Sequence, residues 1–274
     1  MENDRSNGLI LFGALQILVG LACGALLLAA VASAVPTPSM IFLTGVAAFF
    51  FVAAGVGSIK ARRWSRALST VVSALWLAGG VIALLTTLLI VPRVIKGAQI
   101  GLIAAGIAGL AIVLPAILFF FYRRDDVRAT CDRRDKPRWT DAVPLPVLAL
   151  AVVMAFASLW LLVRMSDPVV PLFGTVVTGG PAALTLLALS ILCGILAVQS
   201  YRLKESAWWT VVLLQVVGCV IWAASMVRDG GRDPVVWAVS IATWIGYFAF
   251  LMMLRKYFVG GRRGRPRVVE VEAT

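Results

Sequence analysis

The sequence predicts an all-α integral membrane protein of about eight transmembrane helices. Three observations lead there. The 274-residue chain is 61% hydrophobic and only 14% charged, whereas a soluble domain carries about 25% charged residues. Its apolar residues fall in eight continuous runs, each near the roughly 20 residues a spanning helix needs. Its basic residues alternate between the two sides of those runs. The runs do not alternate apolar with polar as barrel strands do, so helices are expected.

The spans read as 8–34, 40–59, 66–91, 98–121, 143–163, 178–200, 207–227 and 235–256. Ala32-Ser33-Ala34 resembles a leader cleavage site. The apolar stretch from Gly8 to Val35 is nevertheless too long for a leader core of about 7–15 residues. It is therefore read as the first span.

Charge sets the expected orientation. One side takes Arg5, then Lys60, Arg62, Arg63 and Arg66, then seven basic residues between Arg123 and Arg138. Arg202 and Lys204 follow on the same side, then six more between Arg255 and Arg267. The opposite side takes Arg93, Lys96, Arg164, Arg228 and Arg232. That is 20 against 5 of the 25 Lys and Arg. Both termini are expected in the cytoplasm, and the setting is expected to be a multi-pass protein of the bacterial inner (plasma) membrane. Trp64, Tyr122, Trp139, Tyr201, Trp208, Trp209 and Tyr257 fall at the cytoplasmic helix ends, where headgroup-level aromatic rings belong.

The spans divide four and four. A four-helix N-terminal half (1–122) is followed by a charged linker (123–141), a second four-helix half (142–258) and a basic, disordered tail (259–274). Halves that start on the same side are compatible with parallel repeats about an axis along the membrane normal. The basic turn at Lys60–Trp64 has a counterpart at Arg202–Trp208. The tail is expected to meet anionic lipid at the cytoplasmic face. The net charge of +12 follows from topology and does not indicate nucleic-acid binding.

The ionisable residues exclude several chemistries. None of the 13 Asp and Glu falls inside a span, and the chain has no histidine. Buried ionisable groups mark proton relays and ion paths. Histidine supplies the usual haem, zinc and copper ligands and the base of a Ser-His-Asp hydrolase. Cys23, Cys131, Cys193 and Cys219 show no paired spacing, so neither a disulfide framework nor a metal site is indicated. No cofactor is expected. The acids of the linker, Asp125 and Asp126 foremost, stand beside arginines as a Mg²⁺–phosphate site would require. Their spacing fits no DDxxD pattern, and a salt-bridged, solvated connector is the favoured reading.

Polar residues in the spans are few. Gln16, Gln215, Thr86 and Thr87 are the ligand or interhelical contacts to examine first. Gly97, Gly101, Ala105 and Gly109 recur every fourth residue and give span four a small-residue packing face, with a shorter version at Gly20 and Gly24 of span one. That face is expected inside the bundle or against a protein partner or second copy. Pro115 should kink the same helix. The outer connection 165–181 is long and apolar, suited to an interfacial or re-entrant loop. The leading functional reading is a non-enzymatic structural, accessory or regulatory membrane subunit acting through helix packing. The alternative is an uncoupled transporter, channel or lipid-binding protein with a neutral site between the halves.

Overall fold

A computed structural model describes residues 6–33, 37–90, 99–137, 139–141, 143–228 and 234–259. Gly97, the tail beyond 259, and Arg93, Lys96 and Arg232 lie outside them. The eight spans are present as eight helices long and apolar enough to cross a membrane. They are α1 (Ser6–Val31), α2 (Pro38–Ile59) and α3 (Arg63–Ile90), then a composite fourth span. That span joins α4 (Gln99–Ile107), a π-helical turn (Ala108–Val113) and α5 (Leu114–Arg123). The remainder are α7 (Leu145–Arg164), α8 (Gly180–Tyr201), α9 (Glu205–Arg228) and α10 (Pro234–Phe258). A shorter helix, α6 (Asp125–Arg134), occupies the central linker.

The π-helical turn follows from Pro115. Proline has no N–H to give, and its ring collides with the carbonyl four residues back. The helix answers by widening just ahead of it, and the Leu114 N–H bonds to the Gly109 carbonyl five residues back. Four residues before Pro115 lies Ala111, whose carbonyl rests against Gly80 of α3, where any Cβ would collide with it.

The helices pair in chain order, α1 with α2 and α7 with α8. Between α1 and α2 the closest approach is made by glycines that face one another. A Cβ on Gly13 would stand 2.7 Å from the Gly55 carbonyl oxygen, and one on Gly55 2.5 Å from that of Gly13. Gly20 meets the backbone of α2 in the same way, while Gly24 meets nothing within 4 Å. In the other pair, Ser158 Oγ donates to the Ser190 carbonyl at 2.8 Å and Ser190 Oγ returns a bond to the Ser158 carbonyl at 2.9 Å.

The α3 helix ties the two halves together. Its Ala67 and Val71 lie in one buried cluster with Leu148 and Met154 of α7, Trp208 of α9 and Leu254 of α10. Trp208, expected at the headgroup level, is instead fully buried and donates its indole N–H to the Leu251 carbonyl at 2.8 Å. Its neighbour Trp209 is the exposed one.

The connection between α7 and α8 forms a hairpin, β1 (Val169–Leu172) antiparallel to β2 (Thr175–Thr178). Phe173 and Gly174 both have positive φ, 49° and 75°, as a two-residue type I′ turn requires. The Gly174 N–H donates to Ser225 Oγ of α9 at 3.1 Å, and Val170 packs on Ala182 and Leu186 of α8.

Candidate functional site at the basic end of the bundle

The turns after α2 and α8 share one backbone form. Ala61 (φ 50°) and Leu203 (φ 54°) are left-handed, and each stands just after the last helical residue and its cap. Ala61 N–H bonds to the Ser58 carbonyl and Arg62 N–H to that of Gly57; Leu203 N–H bonds to Ser200 and Lys204 N–H to Gln199. Both are Schellman motifs built without glycine. The likeness of Lys60–Trp64 to Arg202–Trp208 thus extends to the main chain.

The first turn receives the central linker. Asp135 accepts from the Arg62 guanidinium at 2.9 Å and from the Arg63 N–H at 3.1 Å. Arg63 reaches the carbonyls of Asp135 and Asp132 at 2.9 and 2.7 Å. It also pairs with the carboxylates of Asp132 at 3.3 Å and Asp141 at 3.9 Å. Among these charges only the Asp135 side chain is essentially removed from solvent, at 2% exposure. The linker is salt-bridged as expected, but its middle is a helix docked by one face rather than a fully solvated connector. Its two-residue acidic pair has a local role: Asp126 accepts from the Val127 N–H at 2.9 Å and pairs with Arg124 at 3.3 Å. Both acids stand in the first turn of α6, where negative charge complements the helix dipole.

The buried face of α6 presents Val127, Thr130 and Cys131 to the bundle. Val127 and Cys131 pack with Leu9, Ala61, Leu118 and Tyr122. Cys131 is 1% exposed although the sequence around it is polar. Burial pushes its thiol up to about 11; Asp132 and Asp135 add to the rise, and Arg66 and Arg63 oppose it.

Directly inward of this layer lies a polar cluster joining four helices. Gln16 of α1 donates from Nε2 to Ser69 of α3 at 2.9 Å. Its Oε1 accepts from Tyr122 of α5 at 3.0 Å and from Ser58 of α2 at 3.2 Å. Ser58 also lies 2.7 Å from the Tyr122 hydroxyl and 2.9 Å from Ser65, which donates to the Ala54 carbonyl at 2.6 Å. Ser58 has one hydroxyl proton and three acceptors in reach, so the cluster admits more than one proton arrangement.

The other singled-out polar residues lie elsewhere. Thr87 is buried near the far end of α3, and Thr86 donates to the Ile82 carbonyl of its own helix at 2.8 Å. Gln215 is half-buried on α9. Only Gln16 joins the cluster. Tyr122, Ser58, Ser65 and Ser69 were missed because serines and a tyrosine near helix ends resemble ordinary boundary residues. In the span-four face, Gly101, Ala105 and Gly109 are exposed, and the two glycines meet nothing within 4 Å.

Two larger cavities open on the apolar outer surface of the bundle. One of about 750 Å³ lies between α1 and the fourth span around Phe12, Val113 and Phe120. Another of about 620 Å³ lies between α7 and α8. The fold and this polar architecture define a helical membrane protein with a folded connector at its basic end. Comparison of the chain with protein-family models, curated proteins and solved structures gives no match.

Proposed function

We propose that the chain is a non-enzymatic, multi-pass subunit of the bacterial plasma membrane that acts through helix packing, as a structural, accessory or regulatory component. Both termini and the α6 connector face the cytoplasm in this reading, where the positive-inside bias places the basic end. The observation that carries it is the contrast between two small-residue faces. Gly13 and Gly55 are used against each other within the chain, whereas a Cβ on Gly101 or Gly109 would meet nothing within 4 Å among the described residues. In a bilayer, a small-residue stripe is where another helix approaches closely, because lipid tails give no hydrophobic drive of their own. The occupant is a transmembrane helix of a partner or of a second copy. The Gln16 cluster supports a packing role as well, since its donors and acceptors are spent on one another across four helices.

The test is crosslinking and co-purification from native membranes, comparing wild type with Gly109→Leu. A partner or dimer band that is present in wild type and lost in the variant supports the reading. A monomer in both, with no associated chain, overturns it.

A further inference from the structure

At the basic end, the start of α3, the outer face of α6 and the residues Thr140, Asp141, Val143 and Leu145 enclose a cavity of about 260 Å³. Its polar wall is Arg63, Arg66, Arg128, Asp132, Thr140 and Asp141, above an apolar floor. Three guanidinium groups face two carboxylates, so the cavity carries a surplus of positive charge. The three arginines are not equivalent. Arg63 is engaged by Asp132, Asp135 and Asp141. Arg128 is half-free, its Nε 3.7 Å from Asp132 and its side chain 64% exposed. Arg66 Nε is buried and makes no hydrogen bond among the described residues.

Thr140 carries the second unmet group. It is 2% exposed, and its Oγ1 has no partner among the described residues. Buried polar atoms are nearly always paired. Two orphans from different segments, converging on one cavity of net positive charge, point to a guest that accepts hydrogen bonds from both. The volume lies just below the roughly 300 Å³ at which drug-sized pockets begin. A small group fits and an extended substrate does not.

We propose that this cavity binds a phosphate group, with Arg66 and Thr140 turning to donate to its oxygens and Arg128 closing over it. A tetrahedral oxyanion accepts from several directions at once, which matches donors arriving from α3, α6 and Thr140. Arginine forks are the usual protein partners of such groups. The chemistry is shared by free phosphate and by the phosphomonoester headgroup of a lipid. It stands independently of the subunit reading above, because it rests on the connector and not on the span-four face.

The experiment titrates inorganic phosphate into the detergent-purified full-length protein and follows its thermal midpoint, with chloride at matched ionic strength as control. Ligand binding to the folded state raises the midpoint with concentration. A parallel arm places the protein in nanodiscs of phosphatidylcholine with or without phosphatidic acid. Wild type is expected to show a phosphate or phosphatidic-acid dependent rise. Arg66→Gln and the near-isosteric Thr140→Val should each weaken it by about tenfold, the loss of one charge-assisted or buried hydrogen bond. Arg124→Gln, a surface arginine outside the cavity wall, should leave it unchanged. A response in the first arm assigns a soluble phosphate; a response in the second alone assigns a lipid headgroup. No response in either arm overturns the proposal. So does a response that Thr140→Val and Arg66→Gln both retain, and so does a Thr140→Val protein that is simply more stable in the absence of any wild-type response, the mark of a cavity filled by water.

Discussion

Asp135 accepts a 2.9 Å hydrogen bond from Arg62, 73 residues earlier in the chain, with its own side chain 2% exposed and that of Arg62 41% exposed. This pair, with the Arg63 N–H on the second carboxylate oxygen, fixes the connector to the turn between α2 and α3. Breaking a buried pair from one side costs about 3–5 kcal/mol, and the exposure of Arg62 reduces that. Asp135→Ala is expected to destabilise the protein by about 2 kcal/mol. Trypsin should then cut within Arg124–Arg134 well before it cuts wild type. Equal digestion rates would show that the pair does not hold the connector.

The Gln16 cluster should behave as a single unit. Gln16→Leu removes three interhelical bonds, each worth about 0.6 kcal/mol on average in a membrane bundle. A loss of about 2 kcal/mol is expected, measured by unfolding in mixed micelles. Gln215→Leu, at a half-buried position with no side-chain hydrogen bond among the described residues, should change stability by less than about 0.5 kcal/mol. A larger effect at Gln215 than at Gln16 would reverse the ranking argued from the geometry.

Glycine substitutions separate packing within the chain from packing outside it. Gly55→Ala places a methyl group 2.5 Å from the Gly13 carbonyl oxygen, and overpacking of this kind costs about 1–3 kcal/mol. Gly80→Ala meets the Ala111 carbonyl and should be at least as costly. Gly109→Ala meets nothing within 4 Å and should leave the isolated chain as stable as before, or slightly more so, since alanine is the better helix former. Thermal midpoints of the three purified variants check the order.

Cys131 gives a pH prediction. Its thiol is raised to about 11 by burial, above the usual thiol range, so the folded state favours the neutral form. In the unfolded chain the thiol ionises first as pH rises, and the unfolded state then binds fewer protons than the native one. The contribution to stability is complete below about pH 8.5 and is lost as pH climbs toward 11. Maleimide labelling of Cys131 at pH 8 should be far slower than for a free thiol, and Asp135→Ala should accelerate it by loosening α6. Rapid labelling of the wild type at pH 8 would contradict the burial of this residue.

The number of spans and their nature were legible in the sequence because a bilayer imposes length and composition on each helix separately. Pro115 was legible for a similar reason: a missing N–H acts on its own helix, whatever surrounds it. Gln16 stood out because a lone amide in an apolar run needs a partner somewhere. Its partners could not be read. Ser58, Ser69 and Tyr122 reach it from 42 to 106 residues away, and no local pattern records which helices are neighbours. The glycine stripes show the same division. Spacing identified small-residue faces on spans one and four, but only packing decided that Gly13 and Gly55 form the contact inside the chain while Gly101 and Gly109 face away from it. The central linker carried the largest difference. Read as sequence it is a salt-bridged, solvated connector. In three dimensions Arg62 and Arg63 satisfy Asp135 and Asp132, and a ten-residue helix docks with Cys131 inside. Solvation sets what each segment is, so the sequence holds it. Which segment answers which is a matter of distance between groups far apart in the chain, and that belongs to the tertiary structure alone.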